Sequence, residues 1–141
     1  MGRPKFTLIK NQKIMKLQDC LKDGKIKVQK GCFAMVKAKT KNQNAFAQIF
    51  DGTELTLFIE QSFLDNENII EGEKDLKILT FDMKFQFETY GVIAEITTLL
   101  AGASISIFLL SGFSTDHLVI QNADYKKAIA IFKELGFQII E

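Results

Sequence analysis

Hydrophobic and polar positions in the second half of the chain change period several times, and each change marks an element. From Asp75 to Phe87 they alternate, with Leu76, Ile78 and Thr80 on one face and Phe81, Met83, Phe85 and Phe87 on the other, which predicts a strand. Val92, Ile93, Ile96, Leu99 and Leu100 follow the i, i+3, i+4, i+7, i+8 rule of a helix face, predicting a helix over about Val92–Ala101 with Gly102 at its C′ position. Strand alternation returns over Ser104–Leu110, Ser111–Thr115 reads as a turn, and continuously apolar Leu118, Val119 and Ile120 make Asp116–Gln121 another strand. Asn122 is a candidate N-cap for a second helix whose apolar face is Ala128, Ile129, Ile131, Phe132 and Leu135. Gly136 ends that helix, and Phe137–Ile140 forms a last short strand.

The order strand, helix, strand, strand, helix, strand folds by right-handed crossovers into an α+β, ferredoxin-like (βαββαβ) sheet with both helices on one face. The first half reads as a reduced version of the same plan. Lys25–Ala38 is a strand pair or one long strand bent at Gly31, with Val28, Phe33 and Met35 as candidate core residues. Ala45–Phe50 and Leu55–Glu60 are strands joined by Asp51-Gly52-Thr53, since Asp-Gly between apolar runs signals a hairpin. Ile14, Met15, Leu17 and Leu21 have helix-compatible spacing in an appended segment. Asp, Asn, Glu and Gly cluster over residues 65–74, where a polar linker between two subdomains is expected.

Composition bounds this picture. A chain of 141 residues, 47% hydrophobic with a single Pro, excludes disorder and collagen-like repeats and is long enough to bury a core without metal or disulfide staples. Cys20 and Cys32 lack C-x-x-C spacing and the only histidine is His117, so the four ligands of a structural zinc site are missing and reduced, packed thiols are expected. His117 itself is expected to be a surface or packed strand residue. Between Glu95 and Asp116 lie 20 uncharged residues, a membrane-span length, but seven are Ser or Thr and the period switches from helix to strand partway. Met1–Lys5 leads into alternating apolar and Lys/Gln positions instead of a secretory apolar core, so a cytoplasmic protein is expected.

The net charge of +1 hides an asymmetry. Residues 1–41 carry 12 of the 18 Lys+Arg against Asp19 and Asp23, a balance of +10, whereas residues 42–141 balance at −9. Lys25, Lys27 and Gln29, like Lys37, Lys39 and Lys41, are spaced by strand alternation, which assigns them to solvent faces of folded strands. Complementarity between units or subunits is the first reading, and it steers toward a homodimer.

Several segments together carry a family resemblance. Gly91-Val92-Ile93-Ala94-Glu95-Ile96, Leu99-Leu100-Ala101, Ile105-Ser106-Ile107-Phe108 and Ser111-Gly112-Phe113-Ser114-Thr115-Asp116 resemble an ACT domain. Lys30–Val36 and Thr53–Phe58 are similar to the N-terminal repeat of small stand-alone proteins with two ACT units in tandem. The resemblance implies an appended segment at 1–24, a reduced ACT-like unit at 25–70 and an ACT domain at 71–141. It also implies a non-catalytic, regulatory protein that binds an amino acid or similar small metabolite at an interface between ACT units, without a cofactor.

A zwitterion needs donors for its carboxylate and a carboxylate or carbonyls for its ammonium. The loop Glu88, Thr89, Tyr90, Gly91 and Val92, just before a helix, can present N–H groups to an anion. Asp116 can face the ammonium, Phe113 can wall the side-chain pocket, and Ser111, Gly112 and Thr115 complete the candidate ligand set. Gly112 stands where the resembled motif carries Thr, and Met83 where relatives often carry Pro, changes that would retune specificity.

Two other classes are weighed. Lys30-Gly31 begins like the octapeptide of RNA-recognition motifs, but residues 32–37 offer one aromatic, Phe33, in the wrong phase for base stacking. An enzyme would need a nucleophile–base pair or a phosphate loop, and neither G-x-x-x-x-G-K-[ST] nor G-x-G-x-x-G occurs. An interaction module without a ligand is the remaining alternative.

Overall fold

In the computed structural model, which describes residues 24–82 and 91–141, one long strand organises the sheet. The elements are β1 (Lys25–Val28), β2 (Phe33–Ala38), β3 (Ala45–Phe50), β4 (Leu55–Glu60), β5 (Ile69–Asp82), α1 (Val92–Gly102), β6 (Ile107–Ser111), β7 (Asp116–Gln121), α2 (Tyr125–Glu134) and β8 (Gln138–Ile140). β1 and β2 lie end to end, bent at Gly31 with φ of 93°, and run antiparallel along one side of β5. Val28 faces Leu79, Phe33 faces Leu76 and Lys37 faces Glu71. On the opposite side β7 pairs with residues 76–81 of β5.

Two overlapping ferredoxin-like arrangements result. Counting β2, β3, β4 and the first part of β5 as strands one to four, their spatial order is 4-1-3-2 (β5, β2, β4, β3), all antiparallel. Its crossovers are short: residues 39–44, and 61–68 with a 3-10 turn at Gln61–Phe63. The second arrangement uses the rest of β5, α1, β6, β7, α2 and β8, and β1 stands between β5 and β8, antiparallel to the first and parallel to the second. The boundary expected at residues 70 and 71 therefore falls inside a strand common to both arrangements.

The expected polar linker is corrected. Residues 69–74 are strand, although 70–75 are exposed and polar residues dominate them, because pairing with β2 supplies the backbone bonds that propensity alone does not favour. The strand passes from this exposed part to the buried part at Asp75, a left-handed residue with φ of 59° whose N–H donates to Gln61 Oε1 at 2.6 Å. Met83, Phe85 and Phe87, expected on one face of this strand, lie outside the described residues, as do Cys20 and residues 1–23.

The two helices cover one face, as the pattern predicts. Leu79 and Phe81 of β5, Leu118 and Ile120 of β7 and Ile26 of β1 pack with Val92, Ile96 and Leu100 of α1 and Ala128, Ile129 and Phe132 of α2. Phe81, Phe132 and Phe137 form a cluster with centroids 5.6–5.9 Å apart. On the other face Leu76, Ile78, Leu110 and Val119 meet Phe33, Phe58 and Phe46 from β2, β4 and β3. Alternate residues of β2 and β4, Ala34, Val36, Leu57 and Ile59, form a third buried group.

Helix ends are legible with two adjustments. Gly136 ends α2 as predicted: at φ of 99° its N–H bonds Lys133 O while Phe137 N–H bonds Phe132 O, a Schellman motif. The same pair of bonds closes α1, but from Ser104 to Ala101 O and Ile105 to Leu100 O, so Ser104, at φ of 60°, holds the C′ place expected of Gly102. Asn122 is not the N-cap of α2; it opens a 3-10 turn, Asn122–Asp124, and Asp124 takes the N-cap position. The Asp51 turn is confirmed, with Asp51 Oδ1 accepting the N–H groups of Thr53 and Glu54 at 2.8 and 2.9 Å. Those bonds hold the exposed Asp51 carboxyl below its ordinary pKa.

Burial sets an expected contrast along β5. Ile78, fully buried and opposite Val119, should cost about 2–5 kcal/mol when cut to Ala. Ile70→Ala, at an exposed position on the same strand, should change stability by about 0.5 kcal/mol or less. Urea unfolding of both variants, read by far-UV and near-UV signals together, checks this and also whether both arrangements unfold in one transition.

Candidate functional site

Topology brings the candidate residues to one end of the sheet. β5 and β6 are both antiparallel to β7, so the end of β5, the start of α1 and the β6–β7 turn share an edge. In register, Phe81, Asp116 and Ser111 form a row across β5, β7 and β6, and Asp82 faces Lys25 of β1 beside it. Of the expected ligand set, Gly91, Val92, Ser111, Gly112, Phe113, Thr115 and Asp116 lie in this region. Glu88, Thr89 and Tyr90 lie outside the described residues.

Gly91 sits at the N-cap of α1 in the left-handed region, with φ of 88° and ψ of −5°, which explains the glycine. It has no side chain to cap the helix, so the first-turn N–H groups face the loop side of this edge. Val92 is buried in the helix-side core, so only its backbone is available to a ligand. Across the edge, Gly112 N–H bonds Thr115 O at 2.9 Å and closes the turn. A Cβ at Gly112 would stand 3.2 Å from that same oxygen and 3.9 Å from His117 Nε2, so a Thr here would crowd the turn. Phe113 is the main surprise: it is fully exposed, neither core nor part of a wall built within the chain. Asp116 and Thr115 are half-buried.

Beneath the turn lies a polar chain that sequence reasoning does not identify. Gln29 Nε2 donates to Thr80 Oγ1 at 2.8 Å, and Thr80 Oγ1 lies 2.8 Å from His117 Nδ1. His117 Nε2 points to Thr115 Oγ1 at 3.4 Å, and Phe46 of β3 packs edge-on to the imidazole with centroids 5.0 Å apart. Burial holds the imidazole pKa below its usual 6.5, against the opposing pull of Asp116. The one available signal is Thr80 itself, a hydroxyl in the apolar row of Leu76 and Ile78.

The larger surface recesses lie elsewhere. One of about 610 Å³ is lined by Lys37, Glu54, Glu71, Gly72 and Phe108, among others, with Lys37 and Glu54 paired at 3.4 Å. Another of about 360 Å³ gathers Lys27, Lys30, Glu60 and Glu141. Beside it, burial and the Glu141 carboxylate push the Tyr125 phenol up to about 12. Among the described residues no cluster of three or more His, Cys, Asp or Glu is placed to hold a metal, Cys32 is a half-buried free thiol, and no helix is long and apolar enough to cross a membrane.

The family model of the ACT domain matches residues 71–134, which span most of β5, α1, β6, β7 and α2. No curated protein matches the chain in sequence. Among solved structures, protein Atu0741 from Agrobacterium tumefaciens is similar over 84% of this chain and 92% of its own, with a TM-score of 0.71 and 17% identity. The Vibrio cholerae protein VC0802, of unknown function, is similar over 88% of this chain and 98% of its own, at 0.73 and 18%. The regulatory subunit of aspartate kinase from Thermus thermophilus is similar over 78% of this chain and 95% of its own, at 0.58 and 9%. At such identities the likeness is one of fold: a mixed α+β, ACT-like architecture.

Two outcomes test the geometry. Gly91→Ala places a Cβ at a left-handed position and should lower stability by about 1–2 kcal/mol in urea unfolding. Because folded His117 binds a proton less readily than the unfolded chain, its contribution to stability is full above pH 6.5 and declines as pH falls below it. Unfolding midpoints measured from pH 8 to pH 5 should fall less steeply in His117→Gln than in the wild type.

Proposed function

We propose that the chain is a non-catalytic regulatory protein that binds an amino acid or similar small metabolite at the edge formed by the start of α1 and the 111–116 turn. The observation that carries this reading is the convergence of Gly91, Asp116 and Phe113 on one edge of an ACT-like sheet. In this reading the first-turn N–H groups of α1 take the carboxylate and Asp116 takes the ammonium. Phe113, exposed in the single chain, becomes the apolar wall when a second copy closes the site.

The second copy is argued from β6. It is an edge strand, and β7 is the only strand that pairs with it among the described residues. Phe108, Leu109 and Phe113 are exposed on and beside it, and no charge occurs between Glu95 and Asp116. A long apolar edge without a charged guard invites strand pairing. The reading makes the protein a cytoplasmic homodimer whose residues 71–141 carry the site, with residues 25–70 as a reduced companion unit. Docking to another protein without any ligand is the alternative that the same exposed edge would serve.

Thermal-shift screening against the amino acids tests ligand binding. A ligand at 100 times its Kd adds about 2.7 kcal/mol of stability, and Asp116→Ala should abolish the shift. No shift with any amino acid overturns the ligand reading. Light scattering at tens of micromolar should give the dimer mass, and Leu109→Lys, a charge on the β6 edge, should give the monomer.

A further inference from the structure

We propose that His117 is a positioning residue that ties the first half of the chain to the 111–116 turn through a chain of hydrogen bonds that only the neutral imidazole completes, and that protonation at Nδ1 breaks this chain at Thr80. The inference deepens the reading above by naming a control on the same turn, and it rests on that reading only for what the turn binds.

The hydrogen-bond chain has a direction. Thr80 Oγ1 accepts a hydrogen bond from the Gln29 amide at 2.8 Å, which leaves its own O–H to donate to His117 Nδ1, also at 2.8 Å. A nitrogen that accepts is unprotonated, so the proton of the neutral imidazole belongs on Nε2, the atom that faces Thr115 Oγ1 at 3.4 Å. Each link comes from a different part of the fold: Gln29 from the β1–β2 bend, Thr80 from β5, His117 from β7, Thr115 from the turn. Phe46 of β3 covers the ring, so the first half of the chain touches the imidazole by packing as well.

Protonation conflicts with this arrangement. A proton on Nδ1 would point at Thr80 Oγ1, which would then receive hydrogens from both Gln29 and His117 and have to turn its own away. Thr80 is 8% exposed, so that third direction has little water to meet. Among the described residues, the charged groups around the ring are Lys27 of β1, which lies opposite Thr80 in the same cross-strand row, and Asp116, its neighbour on β7, whose side chain leaves the other face of the sheet but acts on the ring through its charge. They have opposite signs, and Phe46, Leu110 and Thr115 add no charge.

Gly112 belongs to the same device. Its missing side chain leaves room between the Thr115 carbonyl and His117 Nε2, so a movement of the ring can reach the turn directly.

His117 is the only histidine, so its imidazole signals in an NMR titration of the full chain are unambiguous. At pH 8 the ring nitrogens should report the Nε2–H tautomer. From pH 8 to pH 4.5 the ring should titrate with a midpoint below 6.5, and the backbone amides of Gly112, Thr115 and Asp116 should shift with that midpoint. Thr80→Val, which removes the donor to Nδ1, should raise the midpoint toward 6.5, and Thr80→Ser should restore it. An Nδ1–H tautomer, a midpoint at or above 6.5, or turn amides that do not follow the ring would each overturn the proposal. Wild type and Thr80→Ser alone decide these points if Thr80→Val does not fold. None of the readouts uses a ligand, so an empty amino-acid screen would leave this result standing.

Discussion

Everything in this fold hangs on the pairing of β5 along both of its sides. Leu76 is the node: it faces Phe33 of β2 on one side and Gln121 of β7 on the other. Before it, β5 completes the helix-poor arrangement of the first half; after it, the strand is the spine of the helix-covered half. The approach of β2 to the early part depends on Gly72. A Cβ there would stand 2.6 Å from Val36 Cγ1 and 2.9 Å from Met35 O, so any side chain would drive the two strands apart. The left-handed Asp75 then absorbs the register shift between the two parts. One strand thus obliges the two halves to share a sheet, and a polar group such as Gln29 can reach across the junction to Thr80.

The same pairing explains where the charge asymmetry goes. The basic strands β1 and β2 lie against the acidic β5, with Lys25 facing Asp82 and Lys37 facing Glu71, while Lys37 also pairs with Glu54 of β4 at 3.4 Å. Both members of that ion pair are more than 40% exposed, so it adds little stability. Its contribution is to register, because a slip by one residue would turn these lysines toward apolar neighbours and Ile26 or Val36 toward water. Two lysines of the basic third, Lys25 and Lys37, thus meet acidic residues within the sheet.

How much the sequence reveals depends on the range of the physics involved. Gly31, Gly136 and the Asp51-Gly52 turn are legible because they answer to local backbone geometry. Both helices are legible because their apolar faces repeat at the helical period. The strand at 69–74 is not: Glu71-Gly72-Glu73-Lys74 has the composition of a loop and becomes strand only because β2, more than 30 positions away, offers it a partner. The C′ position of α1 fails for a subtler reason, since the Schellman bonds can close on Ser104 as well as on a glycine and packing of Ile105 decides which. The polar chain under the turn joins residues 51 and 37 positions apart, and no local pattern encodes such a contact.

The candidate site divides along the same line. Its location is an obligatory product of topology: once α1 carries the chain from β5 to a parallel β6, the helix start and the β6–β7 turn have to share an edge. Gly91 and Asp116 are therefore predictable as neighbours from motif and order. Its completeness is not, because Phe113 projects into solvent and Val92 turns inward, which leaves this end without an enclosing apolar surface among the described residues. What can still be tuned from within is the turn. His117 stands directly below it, linked through Thr80 and Gln29 to the other half of the sheet. The connection between the two halves runs through the Gln29–Thr80 and Thr80–His117 hydrogen bonds, which cross the shared strand.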